Sequence, residues 1–289
     1  MPTTRTRRAH ARRTAAAALG ALLLTACGAH APAAPAPSAS VTDPTSDPNK
    51  AGFTVYDNSF YTNVDLEQYG ATKSNVLYEG PVAALSGQNP GDFQDARKVE
   101  LALPPQDAYE RLVRQHDQNP GPLVLDFETL YLQGTPEVAQ RHFQKLSTLL
   151  TWAHQAAPGK VIGFYGVLGN TAPQYYLLAR QLAKDEGAFF PTLYTHTTDR
   201  TQWQTLLAKD AQEAKAIDPA KPVYAYLWPQ YHPGIPEAGQ YLPGDYWTFE
   251  LDTARTYVNG VVIWSQQTPS TDQEWVSATQ RFMSTLPHG

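Results

Sequence analysis

Residues 122–128 read PLVLDFE. A short apolar run opened by Pro122 and ended by Asp126 and Glu128 reads as a strand buried on both faces, the habit of parallel sheets. The same kind of run recurs along the chain: 53–56 FTVY, 75–78 NVLY, 98–103 KVELAL, 161–165 VIGFY, 189–194 FFPTLY, 222–227 PVYAYL and 260–264 GVVIW. Amphipathic stretches separate the later runs. In 135–157 the apolar residues Val138, Phe143, Leu146, Leu149, Leu150 and Ala153 fall at helical spacing. Thr135 is placed to cap that helix, with Pro136 at its first turn. Similar patterns predict helices over 105–117, 172–184, 199–217, 245–257 and 272–285.

Eight strand candidates interleaved with helices predict an α/β fold, a (β/α)8 barrel of the TIM type, for which about 250 residues are typical. The stretch from 57 to 97 carries little helical pattern, so the reading also admits a distorted or seven-stranded barrel. The rival is an open doubly wound sheet. It lacks support, because no G-x-G-x-x-G or Walker-type loop follows any run.

The domain does not fill the chain. Residues 1–26 carry Arg5, Arg7, Arg8, Arg12 and Arg13 ahead of the apolar stretch 14–26. That stretch is too short for a membrane span, which takes about 20 apolar residues, and reads as a secretory leader. Leu24-Thr25-Ala26-Cys27 resembles a bacterial lipobox, in which Cys27 is lipidated after cleavage. Two acyl chains give the stable anchoring that one does not. Residues 27–50, rich in Pro, Ala and Ser, read as an extended tether, and 51–289 as the barrel domain. The expected place is the extracytoplasmic face of the cell envelope, reached across the inner membrane.

Composition narrows the chemistry. The chain has 289 residues, one Cys and a formal net charge of −5. Without the leader, 17 Lys and Arg remain against 27 Asp and Glu, a net of −10. An acidic chain does not read as a nucleic-acid binder. One Cys makes neither an internal disulfide nor a cysteine zinc site, and no metal or cofactor motif is apparent. His196 and His232 lack metal-ligand spacing and read as loop or packing residues. A monomer is expected.

In a barrel, chemistry sits at the C-terminal ends of the strands. Those ends carry Tyr56-Asp57-Asn58, Tyr78-Glu79, Asp126-Phe127-Glu128, Tyr165, Tyr194, Tyr226-Leu227-Trp228 and Trp264. Aromatic faces cover the apolar faces of sugar rings, and carboxylates bond hydroxyls and move protons. Asp126 and Glu128 stand two apart on one run, so both are expected on the same face. Close carboxylates raise each other's proton affinity, and one is expected to stay protonated near neutral pH, as a glycosidase general acid must. No later run offers an evident partner carboxylate across the cleft. That points to a substrate-assisted route, while Asp57 and Glu79 keep an ordinary two-carboxylate route open.

The order of these motifs resembles the animal hyaluronidases, glycoside hydrolase family 56. FTVYDN at 53–58, LVLDFE at 123–128, IGFYG at 162–166, the stretch 193–226 ending in Tyr226, and 246–264 ending in Trp264 are similar to that family's segments in the same order. The resemblance implies roles. Glu128 would be the general acid/base. Asp126 would orient the substrate acetamide and stabilise an oxazolinium-like intermediate. Tyr226 would bond the acetamide oxygen, Tyr165 would line the same subsite, and Trp264 would floor the N-acetyl methyl. Trp228, Tyr194 and Asp57 complete the expected substrate-binding set. The family's D-W-E-x-W-R-P becomes DFETLYL at 126–132, and its segment after the Tyr165 match becomes VLGNT at 167–171. A polyanion is repelled by a domain at −10. The expected substrate is therefore an N-acetylhexosamine glycan, not necessarily hyaluronan. The competing reading is a non-catalytic glycan-binding lipoprotein on the same barrel.

Overall fold

The computed structural model describes residues 52–93 and 99–287. The leader, Cys27 and the tether lie outside the described residues.

Strand β1 (Thr54–Asn58) pairs in parallel with β7 (Gly260–Trp264), with Thr54 opposite Gly260 and Asn58 opposite Trp264. The far edge of β7 takes β6 (Tyr224–Leu227), with Tyr226 opposite Val262. The other edge of β1 takes the two-residue β2 (Thr72–Lys73). One residue later the same stretch of chain becomes β3 (Asn75–Tyr78), which turns away to pair with β4 (Leu123–Asp126). Tyr78 then lies opposite Asp126. The series continues to β5 (Ile162–Phe164).

Residues 189–195 fill the gap between β5 and β6. They bridge Phe190 to Tyr165 on one side, and Phe189 to Val223 and Thr192 to Tyr226 on the other, all in parallel. Gly166 N donates to Phe190 O at 2.8 Å and Tyr226 N to Pro191 O at 2.8 Å. Pro191 has no N–H to give a ladder, which explains why this stave is a chain of single bridges. With β2 and β3 counted as one bent stave, the ring closes on seven staves. The barrel is therefore of the seven-stranded kind.

In the run expected as a strand at 98–103, the described residues 99–103 form none. The chain from Val99 to Leu103 is irregular. Its amides bond side chains instead of a neighbouring strand: Leu101 N donates to Thr129 Oγ1 at 3.0 Å, and Ala102 N to Gln88 Oε1 at 2.8 Å. Conversely, helix α1 (Glu79–Leu85) forms where no helical pattern was read. The others follow the periodicity: α2 (Gln106–His116), α3 (Pro136–Ala156), α4 (Tyr176–Ala183), α5 (Arg200–Ile217), α6 (Gly244–Tyr257) and α7 (Glu274–Met283). Thr135 does cap α3, accepting from Val138 N, and Asp199 caps α5, accepting from Thr201 N at 2.9 Å.

Both faces of the staves are buried. Leu123, Leu125, Val261 and Ile263 join the outer core with Leu146, Leu149, Leu150 and Trp247 of the helices. Val124, Phe190, Tyr226 and Val262 form a separate lumen cluster, with Tyr56 and Tyr224 packed on it. Rings this large fit a seven-stave lumen because glycine stands where chain meets chain. A Cβ on Gly163 would lie 2.2 Å from Ala188 O, and one on Gly260 would lie 2.2 Å from Thr54 O. These contacts are with backbone, which cannot swing aside. Gly163→Ala is therefore expected to destabilise the domain by about 2–3 kcal/mol, read as a lower midpoint in urea at unchanged slope.

Candidate active site

Strand β4 delivers Asp126 to the C-terminal mouth, directly beside Tyr78 of β3. The strand stops there. Phe127 sits at φ −121° and ψ 72°, and Glu128 opens a 3-10 turn that runs to Leu130. Asp126 and Glu128 thus do not share one extended strand, as their spacing implied. The turn nonetheless keeps Glu128 close enough for its charge to act on Asp126. Glu128 Oε2 accepts from the Tyr131 hydroxyl at 3.5 Å.

Burial, then the charges of Glu128 and Glu79, push the Asp126 proton affinity well above the usual carboxylate range. Its Oδ1 is sealed from solvent and has no hydrogen-bond partner. The expectation that one carboxyl of the site stays protonated therefore falls first on Asp126. Glu79 is the third carboxyl, and burial is the main reason its pKa is pushed up to about 7. Its hydrogen bonds from Thr129 oppose that rise, and the charge of Glu128 adds to it.

The aromatic residues converge on these acids. Tyr165 and Tyr226 meet edge to face at 5.0 Å between centroids. Tyr194 lies 6.2 Å from Tyr165 and 5.5 Å from Trp264, and Trp228 lies 5.2 Å from Trp264. Trp264 Nε1 donates to the Tyr78 hydroxyl at 3.0 Å, Asn58 Nδ2 to the Tyr226 hydroxyl at 3.3 Å, and the Tyr165 hydroxyl to Thr192 Oγ1 at 2.9 Å. Burial raises the pKa of all four tyrosines, Tyr78 to about 12, and the Asp126 charge adds to each. Their hydroxyls stay protonated and able to donate. Asp126, Glu128, Tyr165, Tyr194, Tyr226, Trp228 and Trp264 therefore form one cluster at one mouth.

Asp57 does not join them. Alternation along β1 turns Tyr56 and Asn58 into the lumen and Asp57 to the opposite face. There Asp57 is fully buried, ion-paired with Lys73 at 2.8 Å and accepting from Ser59 N at 2.8 Å. Its carboxyl holds β1 to β2, and neither substrate binding nor nucleophilic attack can be assigned to it. Asn58 takes its place at the mouth.

Sequence placed two further residues of the mouth at strand ends without giving them a role. Tyr78 and Asn58 are strand-end residues whose roles emerge from register. His232 stacks on Tyr194 at 5.7 Å and 18°, and His196 packs on His232 at 4.1 Å. Both are packing histidines, but they pack on the site's aromatic wall. Among the described residues, no group of three or more His, Cys, Asp or Glu is placed to hold a metal ion.

No protein-family model matches the chain, and no curated protein matches it. Solved structures do. Bee venom hyaluronidase aligns over 80% of this chain and 96% of its own, with a TM-score of 0.53 at 13% identity. The same enzyme in complex with a hyaluronic acid tetramer aligns over 80% and 95%, with a TM-score of 0.54 at 15% identity. The likeness is one of fold, a β/α barrel of the TIM type. At this identity the likeness establishes the architecture, and the chemistry has to be argued from the mouth itself.

Proposed function

We propose that this barrel is a glycoside hydrolase acting on an N-acetylhexosamine-containing glycan, with Glu128 as general acid/base. The observation that carries the reading is the convergence of Asp126 and Glu128 with Tyr165, Tyr226 and Trp264 at one mouth. A sugar ring seated on Trp264 and Tyr194 places its glycosidic oxygen within the reach of Glu128. The protonated carboxyl passes its proton to that oxygen as the bond breaks. The Asp126 carboxyl accepts the substrate's acetamide N–H. The buried Tyr226 hydroxyl steadies the acetamide oxygen as it attacks the anomeric carbon. Positive charge then develops on the acetamide-derived ring, and the Asp126 carboxylate, its proton lost to solvent before the bond breaks, stabilises that charge. Water, activated by Glu128, opens the intermediate with net retention.

This route needs no second carboxylate nucleophile, and the removal of Asp57 from the mouth favours it. The bee enzyme's bound hyaluronic acid tetramer makes a linear glycan the natural class of ligand. We place the protein on the extracytoplasmic face of the envelope, tethered by lipid on Cys27 and acting as a monomer. Radiolabelled palmitate in the wild type, absent from Cys27→Ala, tests the anchor.

The activity test is hydrolysis of a panel of N-acetylhexosamine polymers, with the product anomer followed by proton NMR. Release of fragments in the retained configuration is expected. Binding without turnover on every polymer would favour the glycan-binding reading. That reading draws on Tyr165 and Tyr226, which are only 8% and 2% exposed and already bonded to Thr192 and Asn58.

A further inference from the structure

We propose that Glu79 is a positioning residue for Glu128. It holds the turn that carries the acid, through Thr129. The proposal rests on the hydrolase reading for its kinetic readout only.

The geometry is specific. Glu79 follows Tyr78, the register partner of Asp126, and opens α1 with its side chain buried. Both of its carboxyl oxygens lie 3.3 Å from Thr129 N. The Thr129 hydroxyl also donates to Glu79 Oε1, while the same Oγ1 accepts from Leu101 N at 3.0 Å. Thr129 is the residue after Glu128 and lies in the same 3-10 turn. Glu79 therefore grips the backbone of the acid's own turn and ties that turn to the irregular segment at 99–103. A carboxylate engaged in this way does not present a free oxygen to an anomeric carbon. The same contacts explain why Glu79 is not the nucleophile that its position left open.

The test is Glu79→Ala, which removes both acceptors from Thr129, set against Glu79→Gln, which keeps one. The direct readout is hydrogen exchange of the Thr129 amide, followed by 15N NMR in the folded variants. Exchange of that amide is expected to speed up about tenfold or more in Glu79→Ala and to be largely restored in Glu79→Gln. An unchanged amide in a folded Glu79→Ala overturns the proposal. Kinetics give the matching split: kcat should drop about tenfold in Glu79→Ala with KM unchanged, and recover in Glu79→Gln. Thr129→Val, which keeps Glu79 and loses the hydroxyl, should lower kcat, with Thr129→Ser restoring it. Should Glu79→Ala fail to fold, Thr129→Val is read in its place, and an unchanged amide at position 129 with unchanged kcat overturns the proposal. The NMR result is decided whether or not any polymer is hydrolysed, so failure of the hydrolase reading is seen separately, as absence of turnover.

Discussion

Glu128→Gln is expected to lower kcat on the cleaved polymer by about 10²–10⁴-fold, the range contributed by a positioned general acid. KM should stay within about threefold, because the lost interaction is made as the bond breaks and not on binding. The substitution is nearly isosteric. The amide oxygen can still accept from the Tyr131 hydroxyl, which lies 3.5 Å from Glu128 Oε2, so the turn and the fold should persist. The loss should be smallest on aryl glycosides with good leaving groups, which depart without a proton. Azide should partly restore turnover on those substrates by replacing the activated water. Equal losses on good and poor leaving groups would assign Glu128 to binding and remove it as the acid. An unaffected variant would remove it from the site.

Sequence made the barrel legible because its strands are buried on both faces. Continuous apolar runs such as PLVL and GVVI have no other comfortable place in a domain of this size. Sequence left eight or seven staves open, and a local reason decides for seven. The run at 98–103 has strand-like residues, but Thr129 and Gln88 satisfy its amides from the side. Hydrogen-bond partners so distant in sequence leave no trace in composition. The stave at 189–195 shows the converse. Pro191 argues against a regular strand, and the structure does give single bridges there, yet those bridges close the ring.

The mouth was legible to the extent that strand ends are. Tyr165, Tyr226 and Trp264 lie where a barrel exposes its chemistry, and the structure brings them together. Asp57 shows the limit of that rule. A strand end presents alternate residues to opposite faces, so proximity to the end does not decide direction. Lys73, sixteen residues further on, decides it by pairing with Asp57 on the outer side. The D-x-E spacing carried a similar ambiguity. Its simplest reading requires a strand through Glu128, whereas Phe127 turns the chain before it. What sequence could not supply was how the third carboxyl meets the other two. Glu79 is 49 residues from Glu128, and only the pairing of β3 with β4 makes them neighbours.

Asp126→Asn is expected to stabilise the fold near neutral pH while abolishing most of the activity. The folded protein holds the Asp126 proton far more tightly than the unfolded chain does, first because of burial and then because of Glu128 and Glu79. An unfolded aspartate ionises near pH 3.9. As pH rises above that value, unfolding releases a proton that the folded state retains, and stability falls. The slope for one such group is at most about 1.4 kcal/mol per pH unit, until the folded pKa is reached. Asparagine has no proton to release. Wild type and variant should therefore be nearly equal at pH 3.5 and diverge as pH rises, the variant melting several degrees higher at pH 7, since about 1 kcal/mol shifts a domain of this size by roughly 2–4 °C. Turnover should fall by about 10²–10³-fold, as when a preorganised group facing developing charge is removed. An uncharged amide cannot stabilise the cation formed from the acetamide. Gain of stability with loss of function marks a group kept for chemistry. Parallel melting curves from pH 4 to 8 would show that Asp126 carries no such strain. An active asparagine variant would show that its charge is not used.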